Sequence, residues 1–206
     1  MILKVNPTRM ELLRLRRRLG IAQRGHKLLK DKQDELVRQL VELARTLRRL
    51  RRQVEEQMSR AAKRFILARA TMEPEAVEEA LLLPTKKLKL GVDMLRVMNV
   101  RIPRFEASSE GRIHCYGFYE TSGQLDAALS ALDKALDRLV ELAEKEKSLE
   151  MLAQELERTR RRVNALEHVM IPNITDTIRH ITDRLAEMER GNISRLMRVK
   201  EIVRAH

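Results

Sequence analysis

The strongest constraint on the fold of this chain is a row of apolar residues spaced alternately three and four apart. The row runs from Leu12 to Met72 without a proline. Such spacing predicts a long helix that buries a narrow stripe against another helix, as in a coiled coil. At 1.5 Å per residue, about 65 residues predict a rod of roughly 100 Å. A second row begins near Ser122 and continues past Pro172 toward Ile202.

The two rows lie at opposite ends of the chain and predict that the terminal helices pair with each other. An antiparallel register in which paired residue numbers add to about 203 matches apolar with apolar. The predicted pairs are Leu19 with Leu185, Leu40 with Val163, Leu47 with Leu156, and Val54 with Leu149. We expect Leu132, among other leucines, to continue the seam of the second helix. The fold class is therefore predicted as mainly α, a long antiparallel two-helix coiled coil.

The middle of the chain has a different character. Residues 1–72 and 122–206 form the predicted helices, and residues 73–121 contain Pro74, Pro84 and Pro103. This composition predicts a short helix at 75–83, followed by mixed or β-containing structure of the hairpin type. A turn between two helices needs only a few residues, so the middle segment is expected to be a contact surface or a small cap.

Composition narrows the class of protein. Charged residues make up 35% and aromatic residues 2% of the chain, with no tryptophan. These values disfavour a large globular core. The single cysteine, Cys115, excludes an intramolecular disulfide and fits a reducing compartment. No apolar run of the length of a membrane span and no leader is seen, so neither membrane insertion nor secretion is expected.

The positive charge is concentrated near the start of the chain. The net charge is +12, and up to Lys30 the only acid is Glu11. Such clusters are either solvated helix faces or a basic surface for nucleic acid or an acidic protein. Interspersed acids and the scarcity of aromatic residues weaken the nucleic-acid interpretation. A basic helical hairpin that binds nucleic acid, or a scaffolding protein, remains the alternative hypothesis.

The sequence contains no complete catalytic motif. Gly25 and Lys27 resemble part of a phosphate-binding loop, but His26 separates them and Leu28 follows where serine or threonine is needed. The five histidines show no metal-ligand spacing. The sequence therefore predicts no catalytic residue, no metal site and no cofactor.

Two pairs of segments carry a resemblance to a known family. Near the start stand Asn6-Pro7-Thr8-Arg9-Met10-Glu11-Leu12 and Gly25-His26-Lys27-Leu28-Leu29-Lys30-Asp31-Lys32. Near the end stand Arg160-Arg161-Arg162-Val163-Asn164-Ala165-Leu166-Glu167 and Ile171-Pro172. Together they resemble the D subunits of the V-type and archaeal (A-type) ATPases and ATP synthases. The similarity spans both helices, but it implies no role for any residue of the middle segment.

The resemblance implies a central rotor shaft without catalysis of its own. Such a shaft couples ATP hydrolysis or synthesis in a catalytic ring to ion transport through a membrane ring. The implied partners are the catalytic and non-catalytic nucleotide-binding subunits of the ring, the small F subunit of the stalk, and a funnel-shaped subunit above the membrane ring. Neither nucleic acid nor direct membrane insertion is implied, and the expected location is peripheral, on the cytoplasmic side of the cell membrane.

By position, the resemblance also implies which residues contact the catalytic ring. They are Thr8, Arg9, Leu12, Leu13, Arg16, Arg17, Arg195, Met197, Arg198 and Lys200. A shaft must also be asymmetric if it is to act differently on equivalent catalytic sites. Pro172 is expected to bend the second helix, and the irregular step between Leu50 and Met58 is expected to unwind the supercoil locally. The alternative is that both features only accommodate a partner and the end of close pairing.

Overall fold

The computed structural model describes residues 5–82, 85–117, 119 and 121–205. Helix α1 spans Arg9–Thr71, α2 spans Pro74–Leu81, and strands β1 and β2 span Lys87–Val97 and Val100–Glu110. Helix α3 (Gly123–Ala165) leads through a π-helical turn (Leu166–Met170) into α4 (Ile171–Ala205). The predicted fold class is confirmed: long terminal helices pack together, and a two-stranded antiparallel sheet lies in the middle segment. Contacts divide the chain into two units, each described below by itself.

The first unit, Met1–Glu35 with Leu156–His206, pairs the start of α1 with α4. Its buried core consists of Leu12, Leu15, Ile174 and Ile181, with Leu19, Ile178 and Leu185 packed against it. Arg9 Nη2 donates a hydrogen bond to Glu189 Oε1 at 2.5 Å, and His26 Nε2 lies 3.2 Å from Glu167 Oε2. Residue numbers on α4 fall as those on α1 rise, so the pairing in this unit is antiparallel, as predicted.

The register of this pairing differs from the predicted one. A register sum of about 203 places Arg9 opposite Ser194, whereas Arg9 bonds Glu189. The contact of His26 with Glu167 is displaced in the same direction. The shift corresponds to about one heptad, and a heptad shift exchanges each apolar residue for the one two places along the row. Apolar pattern alone therefore does not distinguish the two registers.

The second unit, Leu36–Glu155, buries small residues beside large ones such as Leu36 and Leu125. Ala61, Ala68, Ala128 and Ala135 have no exposed surface. Leu132, which was predicted to lie in the seam, is 36% exposed, so that prediction was wrong. Alanine carries little side-chain volume, so alanine positions allow two helix backbones to approach closely.

Strands β1 and β2 form a hairpin with a two-residue turn. Val97 pairs with Val100, and the turn residues Met98 and Asn99 have φ values of 49° and 66°. Both residues are therefore in the left-handed region, as the hairpin turn that matches strand twist requires. Strand β2 is tied to α3 because the Phe105 N–H donates to Glu144 Oε2 at 2.8 Å.

The π-helical turn immediately precedes Pro172. The Ile171 N–H donates to the Leu166 carbonyl, a bond that spans five residues rather than four. Proline lacks a backbone N–H, and its ring crowds the preceding helical turn. A wider turn at this point relieves the crowding, and helical structure continues from α3 into α4. The predicted bend at Pro172 stays a prediction.

Candidate functional site

The C-terminal part of α4 carries an exposed apolar surface. Every side chain from residue 191 to residue 204 is exposed. The apolar residues among them are between 52% and 70% exposed: Ile193, Leu196, Met197, Val199, Ile202 and Val203. Apolar surface of this extent on a helix usually marks a contact with another protein.

The distribution of these apolar residues around the helix is broad. At about 100° per residue, the six positions cover roughly 220° of the helix circumference. Arg195 and Lys200 lie within the same arc, so the surface is mixed and not uniformly apolar. An amphipathic helix that lies on one surface needs a narrower stripe. The pattern of residues 193–203 therefore indicates contacts on more than one side of α4.

Three basic residues stand between these apolar ones and were predicted to contact the ring. Arg195, Arg198 and Lys200 are exposed. In the part of the chain that the structure describes, none of the three forms an ion pair. Met197, predicted with them, is 60% exposed. All four side chains are thus available to a partner.

The first turn of α1 is held by a side-chain cap. Thr8 Oγ1 accepts a hydrogen bond from the Glu11 N–H at 3.3 Å. The spacing Thr-x-x-Glu is that of a capping box, a signal that the sequence contained and that our interpretation of Thr8 as a contact residue missed. Thr8 therefore has a local structural function, although its side chain is also exposed.

The other predicted contact residues on α1 separate into outward and inward positions. Arg9 is exposed and bonded to Glu189, and Leu13 is 52% exposed. Arg16 and Arg17 are exposed and form no ion pair with any described residue. Leu12 is only 9% exposed, because it packs in the core of the first unit. Its side chain leaves little surface for a partner.

The predicted seam residues differ in burial. Leu47, Val54 and Val163 are buried. The other five are half-buried: Leu19, Leu40, Leu149, Leu156 and Leu185. Sequence reasoning missed Thr159 and Thr177, which are each 1% exposed. The Thr177 hydroxyl donates to the Asn173 carbonyl at 2.6 Å, so this buried polar group is satisfied within its own helix.

One polar contact lies beside the π-helical turn. The hydrogen bond from the His26 ring is the main cause that lowers the pKa of the Glu167 carboxyl, with smaller contributions from neighbouring positive charges. Glu167 belongs to the turn itself, so the contact connects α1 to the irregular part of the opposite helix. Polar groups at such positions commonly specify the register of a helix pair.

A second polar cluster lies where the chain enters α3. The Tyr116 hydroxyl donates to Asp126 Oδ1, and the His114 ring lies 3.5 Å from the same oxygen. Burial, followed by the hydrogen bond to Asp126, raises the pKa of Tyr116. Because Asp126 lies in the first turn of α3, the cluster holds the segment after β2 to that helix.

The described residues offer neither a metal site nor a membrane span. Within the described ranges, no group of three or more histidine, cysteine or acidic side chains is placed to hold a metal ion. None of the described helices combines the length and the apolar character needed to cross a membrane.

The sequence is similar to one protein family along most of its length. The family model for the D subunit of ATP synthases matches residues 11–201. The D subunit of the V-type ATP synthase of Acetivibrio thermocellus is 52% identical over 206 residues, which cover 98% of this chain and 93% of that protein. The corresponding proteins of Clostridium novyi and Clostridioides difficile are each 48% identical, with 98% of this chain and 95% and 92% of theirs covered.

Proposed function

Because the chain belongs to the family of ATP synthase D subunits, we propose that it is the central rotor shaft of a rotary V/A-type ATPase or ATP synthase. It is a component of such a rotary complex, as its relatives are named. In the proposed role it couples ATP hydrolysis or synthesis in the catalytic ring to ion transport through the membrane ring. It carries no catalytic group of its own, because the nucleotide sites belong to the ring.

The observation that supports this role most directly is the exposed end of α4. Its apolar side chains span roughly 220° of the helix circumference, and its cations have no partner in the described part of the chain. A ring of proteins around the shaft would enclose such an end on all sides, whereas a single flat partner would not. We therefore propose that residues 191–204 lie inside the catalytic ring.

The proposed ring contacts combine charge with modest apolar area. On α1 they are the outward side chains Thr8, Arg9, Leu13, Arg16 and Arg17, supported from within by Leu12. On α4 they are Arg195, Met197, Arg198 and Lys200. Solvated charge on both helices limits the depth of any one contact, because desolvating an arginine is costly. A rotor needs such contacts if no single rotational state is to be trapped.

The remaining partners follow from the same role. We propose that the chain binds the small F subunit of the stalk and the funnel-shaped subunit above the membrane ring, and that it lies peripherally on the cytoplasmic side of the membrane. The π-helical turn beside Pro172 breaks the regularity of only one of the two paired helices. This irregularity is our candidate for the asymmetry that distinguishes the catalytic sites.

A crosslinking experiment on the assembled complex tests the rotor role. Cys115 is first replaced by serine. A cysteine at Met197 or Arg16 is then joined by oxidation to a cysteine on the inner face of the catalytic ring. ATP hydrolysis is expected to stop when this bridge forms and to return on reduction, because the bridge ties the rotor to the stator.

The matched control joins two parts of the same body. His26 Nε2 lies 3.2 Å from Glu167 Oε2 and neither side chain is buried, so cysteines at these two positions are joined through a short bifunctional reagent. Hydrolysis is expected to survive this internal bridge. If the bridge from shaft to ring forms completely and turnover continues, the chain is not the rotor.

A further inference from the structure

The two outer edges of the β1–β2 hairpin differ in how they are protected. In the described residues the sheet has only two strands, so each strand has one unpaired edge. In a two-residue hairpin the closing pair, here Val97–Val100, exchanges hydrogen bonds. Along the ladder, hydrogen-bonded pairs then alternate with pairs whose N–H and C=O groups point away from the partner strand. The pairs Val92–Phe105 and Met94–Pro103 therefore direct their N–H and C=O groups outward.

The outer edge of β2 is blocked. Pro103 occupies an outward position and has no N–H to offer. The next outward N–H, that of Phe105, donates to Glu144 Oε2 of α3 at 2.8 Å. A proline and a covering helix are two of the devices by which native sheets prevent further strands from adding.

The outer edge of β1 has neither device. Its outward groups belong to alternate residues, and no described residue pairs with them. Side chains of alternate residues share one face of a strand. The apolar ones are between 41% and 61% exposed: Leu88, Leu90, Val92 and Met94. An 11-residue strand with free hydrogen-bonding groups beside an apolar row is a template for another strand.

The positive charge of Arg96, near the turn end of this edge, also has no partner among the described residues. Arg96 lies directly opposite Arg101, and both side chains are exposed. Neither forms an ion pair with any described residue. Like charges directly opposite on two strands are destabilising. A carboxylate placed between the two guanidinium groups would relieve this repulsion.

We propose that the outer edge of β1 is a docking site at which an extended segment of a partner protein adds as a third strand. The segment has apolar side chains at alternate positions and a carboxylate that reaches Arg96 and Arg101. Main-chain hydrogen bonds supply affinity in such strand addition, and the side chains select the register. A lipid surface would cover the apolar row but leave the strand's N–H and C=O groups unpaired, which is costly. This proposal goes beyond the rotor role and does not depend on it.

The test uses the full chain and a synthetic peptide of the length of β1. The peptide alternates valine and threonine and carries glutamate near its N-terminus, opposite Arg96 when it pairs antiparallel. Amide hydrogen exchange is followed by NMR with and without peptide. We expect the outward amides of Leu88, Leu90, Val92 and Met94 to exchange at least about tenfold more slowly with peptide, because each gains a hydrogen-bond acceptor.

Two variants at one position distinguish strand addition from nonspecific hydrophobic binding. Val92→Pro removes one outward N–H and, like the natural Pro103 on β2, leaves the β1–β2 ladder intact. Val92→Thr keeps the N–H and the branched side chain, so it serves as the matched control. We expect Val92→Pro to weaken peptide binding about tenfold and Val92→Thr to leave it nearly unchanged. Arg96→Glu should reduce binding of the glutamate peptide and restore it for a peptide with lysine in its place.

Three outcomes would overturn the proposal. The first is peptide binding that Val92→Pro does not weaken while the hairpin amides remain protected. The second is binding of vesicles of phosphatidylserine and phosphatidylcholine, but not of the peptide, through the same apolar row. The third is self-association of the free chain that protects the same amides, since the edge would then serve a second copy.

Discussion

The cores of the two units differ in how many alanines they contain. The first unit buries Leu15 and Ile181, with Leu12 and Ile174 beside them, and Ala22 is its one buried alanine among the described residues. The second buries Leu36 and Leu125 together with Ala61, Ala68, Ala80, Ala128 and Ala135. Large aliphatic side chains contribute transfer free energy in proportion to their area. Buried alanines contribute little area but fix how closely two backbones approach. The first core is therefore expected to be sensitive to truncation, and the alanine positions of the second to enlargement.

The largest effect is expected from truncation in the first unit. Ile181 is 1% exposed, so Ile181→Ala should lower the free energy of unfolding by about 2–5 kcal/mol, through lost burial and a residual cavity. Denaturant melts and the amide exchange of residues 9–35 measure this loss of stability. Leu13→Ala, at a 52% exposed position, is the control and should change stability by less than about 0.5 kcal/mol. Equal losses in both variants would contradict the assigned core.

The next largest effect on stability is expected when a buried alanine of the second unit is enlarged. Ala128 has no exposed surface, so Ala128→Leu forces the helices apart and should cost about 1–3 kcal/mol. The exposed Ala153 on the same helix, changed to leucine, serves for comparison and should be nearly neutral. Amide exchange within residues 36–71 reports the change. A stabilised Ala128→Leu protein would show that the seam contains unfilled space, and the comparison of the two cores would fail.

The cap of α1 should matter less than either core. Thr8→Ala removes the acceptor for the Glu11 N–H and should cost about 1 kcal/mol. Thr8→Ser keeps the acceptor and should restore most of the loss. The exchange of the first amides of α1 is the appropriate measurement. If the serine variant behaves like the alanine variant, the hydroxyl is not the cap.

The smallest effect is expected at Glu167 and depends on pH. Its pKa is lowered in the folded chain, mainly by the hydrogen bond from His26. The ionised carboxylate therefore adds stability above its ordinary pKa of 4.5, and this contribution is lost as the pH falls through the lowered value. Urea melts between about pH 5.5 and pH 3 should show a steeper loss for the wild type than for Glu167→Gln. Parallel curves would show that the ionised Glu167 carboxylate does not contribute to the stability of the first unit.

Periodicity predicted the paired helices, because these depend on spacing, and the prolines of the middle segment predicted its change of structure. Periodicity did not predict the register, since every heptad of the row offers the same apolar match. The contacts that distinguish the registers are polar: Arg9 with Glu189, and His26 with Glu167. Their partners are far apart in sequence, and no local pattern links them.

The composition of the seam was predicted less well in α3. Leucine was favoured over alanine at each turn, and Leu132 was assigned to the seam while Ala128 and Ala135 went unmentioned. Burial of a small residue depends on the distance to the opposite helix, which a single sequence does not report. Leu12 was predicted both as the first residue of the apolar row and as a ring contact, and its burial agrees with the first of these assignments.

The π-helical turn has a consequence for how the two halves of one long helix are aligned. Its five residues contain one more than a regular turn needs, and the buried Ile174 and Ile181 lie one residue later than a seven-residue repeat from Thr159 predicts. The turn thus acts as an absorbed single-residue insertion. Forcing all of its residues into regular α-helix would rotate Ile174, Ile178 and Ile181 by about 100° away from α1, whereas deleting one residue of the turn would leave them facing α1.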